Sequence, residues 1–261
     1  MEKFLKKDNF SLSNYSSMYM EQIKKKNRAL LNRANLRDTI FVISAASCLM
    51  WGIDTTRLCI SLLLLLLGSA LHFITKGTLI RNVVLCREGT YGIVRHPYYL
   101  ANYVIDSSLC LLSGNIYLLL IYPLLFFWAY GPTLRQEERI LISTHGAAYV
   151  RYSLEVAQVL PDGQSIKTWK NMVGAFSKKR ITAKEISRLT RFWGMAIFLL
   201  LLHDLSKEGL KELIFFYPPM DQDGLLYLGL VLCLFIASFF ILRRYKKQAQ
   251  RKEPMSDAGE A

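Results

Sequence analysis

Six apolar stretches, separated by polar ones, set the plan of this chain. The first, Thr39–Ile53, is short against the roughly 20 residues a membrane-crossing helix needs. Asp54-Thr55-Thr56-Arg57 reads as a turn. Leu58–Thr75, with its unbroken leucines from Leu62 to Leu67, reads as a second, stronger span and closes a helical hairpin. Lys76–Pro97 is a polar loop. Tyr98–Leu112 and Ile116–Tyr130 form a second hairpin about Ser113-Gly114-Asn115, short enough to be tilted or shallow. Residues 132–190 are polar and read as helices and loops. Phe192–Leu205 and Gly224–Leu242 are the fifth and sixth apolar stretches.

The pattern predicts an all-α fold, a polytopic transmembrane bundle of about six membrane helices. Its expected divisions are a basic N-terminal segment (1–37), a membrane core (38–164), a basic linker (165–190), a C-terminal transmembrane hairpin (191–243) and a disordered basic tail (244–261). Within the first, Met18–Leu31 has the pattern of an amphipathic surface helix or a solvated basic tail. No internal repeat is present.

Composition supports this plan. The chain is 52% hydrophobic and 20% charged, with the two classes segregated. A net charge of +13 calls for an anionic partner. Nucleic acid would meet the charge, but the leucine runs favour the anionic inner face of a lipid bilayer, so no nucleic-acid partner is expected. All Lys and Arg except Arg57, Lys207 and Lys211 fall where six alternating spans put one side of the membrane. The positive-inside rule makes that side cytoplasmic and gives an integral multi-pass protein of an inner membrane or the endoplasmic reticulum, both termini cytoplasmic. The five cysteines show no metal-ligand or disulfide spacing, and no signal peptide is read at the N-terminus.

Two polar clusters fall on that same side. Gly89–Tyr99 carries Arg95-His96-Pro97, in which Pro97 suits the first turn of a helix and His96 its N-terminus, an end that attracts carboxylate or phosphate. Arg135–Leu141 carries Glu137 and Glu138 between Arg135 and Arg139. Farther on, Tyr149 and Tyr152 share a helix face after Gly146. Alone, these read as an interfacial cap, a solvated face with local ion pairs and an aromatic belt.

In order, however, Gly89, Tyr91, Val94, Arg95, His96, Pro97 and Tyr99, then Glu137, Glu138 and Leu141, then Gly146, Tyr149, Tyr152, Val156, Leu160 and Pro161 make a pattern. It resembles that of the isoprenylcysteine carboxyl methyltransferase family and related phospholipid methyltransferases, over roughly residues 58–161. The resemblance implies a membrane methyltransferase whose cofactor, S-adenosylmethionine, sits in a cytoplasmic pocket. By position, Tyr91, Val94, His96, Pro97, Tyr99 and Glu137 would bind the cofactor, with Lys76 near a further contact. Arg95, His96 and Glu137 would carry the catalytic roles. The chain departs from the family at Thr133, where an acceptor-contacting Arg is common, and at Ala101, His145 and Ala157. Arg135 lies near the acceptor position.

The acceptor is expected to be lipophilic: a prenylated carboxylate, a lipid headgroup or a small hydrophobic metabolite. Methyl transfer from a sulfonium needs alignment and exclusion of water and no metal. Asn102 and Asp106 lie one turn apart within the third apolar stretch. Ionisable groups at such depth face a cavity or a partner, so they are candidates for the acceptor tunnel or for a contact to a neighbouring helix. His72, four residues before Lys76, reads as structural. The C-terminal helices lie outside the pattern and point to an added contact such as a homodimer. Two other classes stay open: an NADPH-dependent sterol-reductase-like enzyme, whose motifs fit His96-Pro97-Tyr98-Tyr99 less well, and a non-catalytic membrane scaffold.

Overall fold

The computed structural model describes residues 35–79, 85–163, 173, 176–206 and 222–250. Among these the chain is all-helical: α1 (Leu36–Cys48), α2 (Thr55–Thr78), α3 (Pro97–Leu112), α4 (Ile116–His145), α5 (Ala147–Glu155), α6 (Ala183–Ser206) and α7 (Gln222–Gln250). Short 3₁₀ turns lie at Gly89–Gly92 and Lys178–Arg180. Four helices are long and apolar enough to cross a membrane: α2, α4, α6 and the Gly224–Tyr245 part of α7. These are the helices of a membrane protein. The expected first and third spans are shorter, 13 residues in α1 and 16 in α3. At a 1.5 Å rise per residue they extend about 20 and 24 Å, against a hydrocarbon core of about 30 Å.

The turns follow local chemistry. Asp54 caps α2, its carboxylate accepting from the Arg57 N–H at 2.9 Å. Between α3 and α4, Gly114 takes φ +74°, and Asn115 caps α4 by accepting from the N–H groups of Tyr117 and Leu118. A second positive φ, +54° at Gly146, separates α4 from α5. There an L side chain would be strained.

Several boundaries differ from those expected. The helix that carries the fourth apolar stretch does not end with it at Tyr130. Helix α4 runs on through Pro132 to His145, so the Glu137 cluster is the polar end of a continuous helix. Helix α6 begins at Ala183, inside the expected linker 165–190, because Glu185, Ile186 and Leu189 already suit a helix. Helix α7 continues to Gln250, past the expected tail boundary at 244, since Arg243–Gln250 contains good helix formers and neither Gly nor Pro. Arg37, expected in the basic N-terminal segment, belongs to α1. The amphipathic reading of Met18–Leu31 lies outside the described residues.

Packing is closest where side chains are small. Gly68 of α2 meets Ile105 of α3 so closely that an added Cβ would lie 2.7 Å from Ile105 Cγ1. Leu65, Ile105, Leu109 and Leu112 join Phe192, Ala196 and Leu199 of α6 in one core cluster. Tyr99, Tyr122, Phe126, Tyr130 and Leu134 form another with Leu36 and Ile40 of α1. Helices α6 and α7 pair through buried Ser187 and Ser238, whose hydroxyls are 2.7 Å apart. The outer faces of α2, α4 and α7 expose leucine, isoleucine and aromatic side chains, as a bilayer-facing surface would.

Candidate functional site

The approach to α3 positions the first half of the site. Pro97 occupies its first turn and His96 its N-cap. The backbone N–H groups of Arg95 and His96 donate to the carbonyls of Ala157 and Gln158 at 2.8 and 2.9 Å. Val94 thereby forms a parallel bridge to Ala157. Two residues of extended chain are thus pinned to the segment leaving α5, which fixes where Arg95 and His96 point. Tyr152 secures the same loop from α5, its hydroxyl donating to the Tyr91 carbonyl at 2.6 Å.

The polar end of α4 supplies the second half. The Tyr99 hydroxyl donates to Glu137 Oε1 at 2.5 Å. Arg95 Nη1 lies 3.1 Å from Glu138 Oε1. His96 stands between the carboxylates, Nδ1 3.8 Å from Glu137 Oε2 and Nε2 3.4 Å from Glu138 Oε1. Glu137 is 41% exposed in its side chain and Glu138 18%. Glu137 is therefore the carboxylate open to an incoming group, and Glu138 the one held within the protein.

Four buried polar atoms in this cluster have no aligned hydrogen-bond partner among the described residues: Arg95 Nε, His96 Nε2, Glu138 Oε1 and the Tyr149 hydroxyl. His96 Nε2 and Glu138 Oε1 are near enough to attract but not oriented to bond. Burial pushes the Tyr149 phenol up to about 12, with the Glu138 charge adding and Arg95 opposing. Burial raises the Tyr152 phenol as well. Both remain neutral donors at ordinary pH. An open groove of about 690 Å³ adjoins the cluster, lined by Arg95, the Ser153–Ala157 segment and Asp162.

The structure thus brings together Val94, Arg95, His96, Pro97, Tyr99 and Glu137, with Tyr91 tied to Tyr152 in the same loop. Val94 and Pro97 are buried walls of this corner. Arg95 is the one of them on the groove's lining. Three other candidates lie elsewhere. Lys76 sits with Tyr98, its Nζ 4.2 Å from the ring centroid, on the side of α3 turned to α2 and α6. Arg135 is exposed, with its guanidinium near Gly131. Asn102 and Asp106 are held by Arg37, at 3.1 and 2.5 Å, and Asp106 also accepts from the Tyr122 hydroxyl at 3.0 Å. Of the two roles expected for them, the contact to a neighbouring helix is the one seen.

Sequence reasoning passed over two arginines. Arg87 donates to the Ala148 carbonyl and lies over the Tyr152 ring. Its place in the loop before the Gly89 motif was the available signal. Arg37 carried none, because its partners are 65 and 69 residues away.

Comparison with protein-family models, with curated proteins and with solved structures finds no match to this chain. Fold and site together define an all-helical membrane protein with an arginine–histidine–carboxylate cluster at one end of its helices.

Proposed function

We propose that the protein is an integral-membrane methyltransferase that uses S-adenosylmethionine and acts on a lipophilic acceptor. In this reading the two shorter helices complete six passes, and both termini and the cluster are cytoplasmic, as the distribution of Lys and Arg favours. The observation that carries it is the meeting of two polar motifs, with Tyr99 on Glu137 and Arg95 on Glu138 across the ends of α3 and α4.

The donor set suits the cofactor. Glu137, with an exposed carboxylate edge, can accept from ribose hydroxyls or an ammonium group. Arg95, which has an unpaired Nε and faces the groove, can donate to a carboxylate. When bound, S-adenosylmethionine supplies an electrophilic methyl group on sulfur. Tyr99 fixes the Glu137 carboxylate, and buried Val94 and Pro97 exclude water beside it. A carboxylate acceptor is already ionised at neutral pH. The proton of an amine or thiol acceptor would pass to His96 or Glu137.

Calorimetric titration of the purified protein in neutral detergent tests the reading. S-adenosylmethionine is expected to bind with a dissociation constant of roughly micromolar order, and a His96→Ala, Glu137→Ala double variant that still folds should lose it. Binding of NADPH in place of S-adenosylmethionine would move the protein to the reductases. Binding of neither would leave a scaffold.

A further inference from the structure

The side of α3 turned away from the cluster carries a second polar site. His72 of α2 is fully buried, and neither ring nitrogen has a hydrogen-bond partner among the described residues. On the same stripe of α2, the hydroxyls of Ser69 and Thr75 are also buried and unpartnered. This is not a habit of the helix. Ser61 and Thr78 of α2 both donate to the carbonyl four residues back, at 2.6 and 2.9 Å. A buried polar group left unpaired costs on the order of 1–3 kcal/mol, so unpaired groups on one stripe mark a place built to meet a polar ligand.

The groups around that stripe state the ligand's charge. The Tyr98 ring lies 4.7 Å from the His72 ring, and Phe192 of α6 meets it edge-on at 5.9 Å. Lys76 Nζ is 4.2 Å and Arg188 Cζ 5.7 Å from the Tyr98 centroid, and Arg188 also donates to the Tyr98 hydroxyl. Two cations thus meet at one ring, and both attract an anion there. Arg180 covers the negative end of α2 by donating to the Thr78 carbonyl at 2.9 Å, which leaves the rim positive. Lys76, Tyr98 and Arg188 are half-buried, so the rim is open while the floor is closed. On the same helix, Leu63, Leu66 and Leu67 face outward and are exposed. The site therefore stands where an apolar surface gives way to a polar one.

We infer that His72, Lys76, Tyr98 and Arg188 form a binding site for the anionic headgroup, phosphate or carboxylate, of an amphiphile. Its charged oxygens take donors from Lys76 and Arg188 at the rim, above the floor that the buried His72 ring forms, and its chain continues along the apolar exterior. Tyr98 and Tyr99 are adjacent, with centroids 6.3 Å apart. They place this site one side chain from the Glu137 cluster. The assignment does not require the methyltransferase reading.

The test is calorimetric titration of the full chain in neutral detergent with short-chain phosphatidic acid, short-chain diacylglycerol and inorganic phosphate. Phosphatidic acid is expected to bind and diacylglycerol not to. Arg188→Gln should weaken binding about tenfold or more, Arg188→Lys should restore most of it, and Lys184→Gln, which removes an exposed charge one turn away, should leave it within about twofold. Circular dichroism and a thermal melt establish that each variant is folded. Inorganic phosphate binding as tightly as the lipid, with the same response to Arg188→Gln, supports the anion site and assigns it a free anion. Absence of binding by both anions, or binding that a folded Arg188→Gln leaves unchanged, overturns the proposal. S-adenosylmethionine titrated into the same samples reports separately on the methyltransferase reading.

Discussion

Arg37 Nε lies 2.5 Å from Asp106 Oδ1, joining the start of α1 to the middle of α3. Asp106 is fully buried, and the same guanidinium reaches Asn102 and stacks over Phe192 at 4.4 Å. One arginine thus ties α1 to α3 and α6 at a depth where an unpaired charge is not tolerated. Removing one partner strands the other, at a cost of about 3–5 kcal/mol. Asp106→Ala should destabilise the protein by that amount in thermal or denaturant unfolding in detergent. An Arg37→Met, Asp106→Leu double variant should lose distinctly less, because no charge is left behind. Equal losses would show that the pair is not coupled.

On the proposed methyltransferase reading, the bond between Tyr99 and Glu137 makes a graded prediction for S-adenosylmethionine affinity. Glu137→Gln removes a charged acceptor and should weaken S-adenosylmethionine binding by about 10- to 100-fold. Tyr99→Phe keeps the ring against Tyr130, at 5.2 Å, and removes only the group that orients the carboxylate. Its effect should be nearer fivefold. A Tyr99→Phe loss exceeding that of Glu137→Gln would mean that the tyrosine itself meets the ligand. Calorimetry on both variants decides it.

Gly77 reports on the docking of the segment that leads into α6. An added Cβ there would run into the Phe176 ring, and the Gly77 carbonyl accepts from the Ser177 N–H at 2.9 Å. Gly77→Ala should cost about 1–3 kcal/mol through overpacking. Phe176→Ala in the same chain should recover part of that loss even though it is destabilising alone. Melting temperatures of the three variants test this, and strict additivity would contradict the contact.

Tyr149 gives a pH dependence. Its folded pKa, about 12, lies above the ordinary value of 10.0. The folded state therefore holds the phenolic proton more tightly than the unfolded state does. The resulting contribution to stability is complete below pH 10 and is lost as pH rises through 12. Tyr149→Phe should flatten that part of the stability curve. Ultraviolet titration should show one fewer tyrosine ionising late.

Much of this was legible in the chain because it rests on neighbouring residues. Asp54, Asn115 and Pro97 act on backbone groups within a few positions, so the starts of α2, α4 and α3 follow from local chemistry. The leucine run of α2 and the apolar stretch of α7 declare their burial in hydrocarbon or protein without reference to any partner. The nearness of the Arg95 and Glu137 motifs followed from a hairpin that returns the chain to the same end. Less was legible where local signals conflict. The apolar stretch ends at Tyr130, yet the helix continues through Pro132 to His145, and there Glu137 and Glu138 find partners on another segment.

What the sequence by itself determined is the all-helical class, the apolar helices and the polar ends where chemistry can occur, since these depend on the free energy of each residue against water or lipid. Only the tertiary structure decided which groups meet. Tyr98 and Tyr99 are adjacent and chemically identical, yet about 100° of helical rotation sends one to His72, Lys76 and Arg188 and the other to Glu137. The sequence offered Asp106 as a tunnel residue or a helix contact, and nothing in it showed that α1 would bring Arg37 to it from 69 residues away. Such choices depend on which helices lie side by side, and hydropathy along one chain does not encode that.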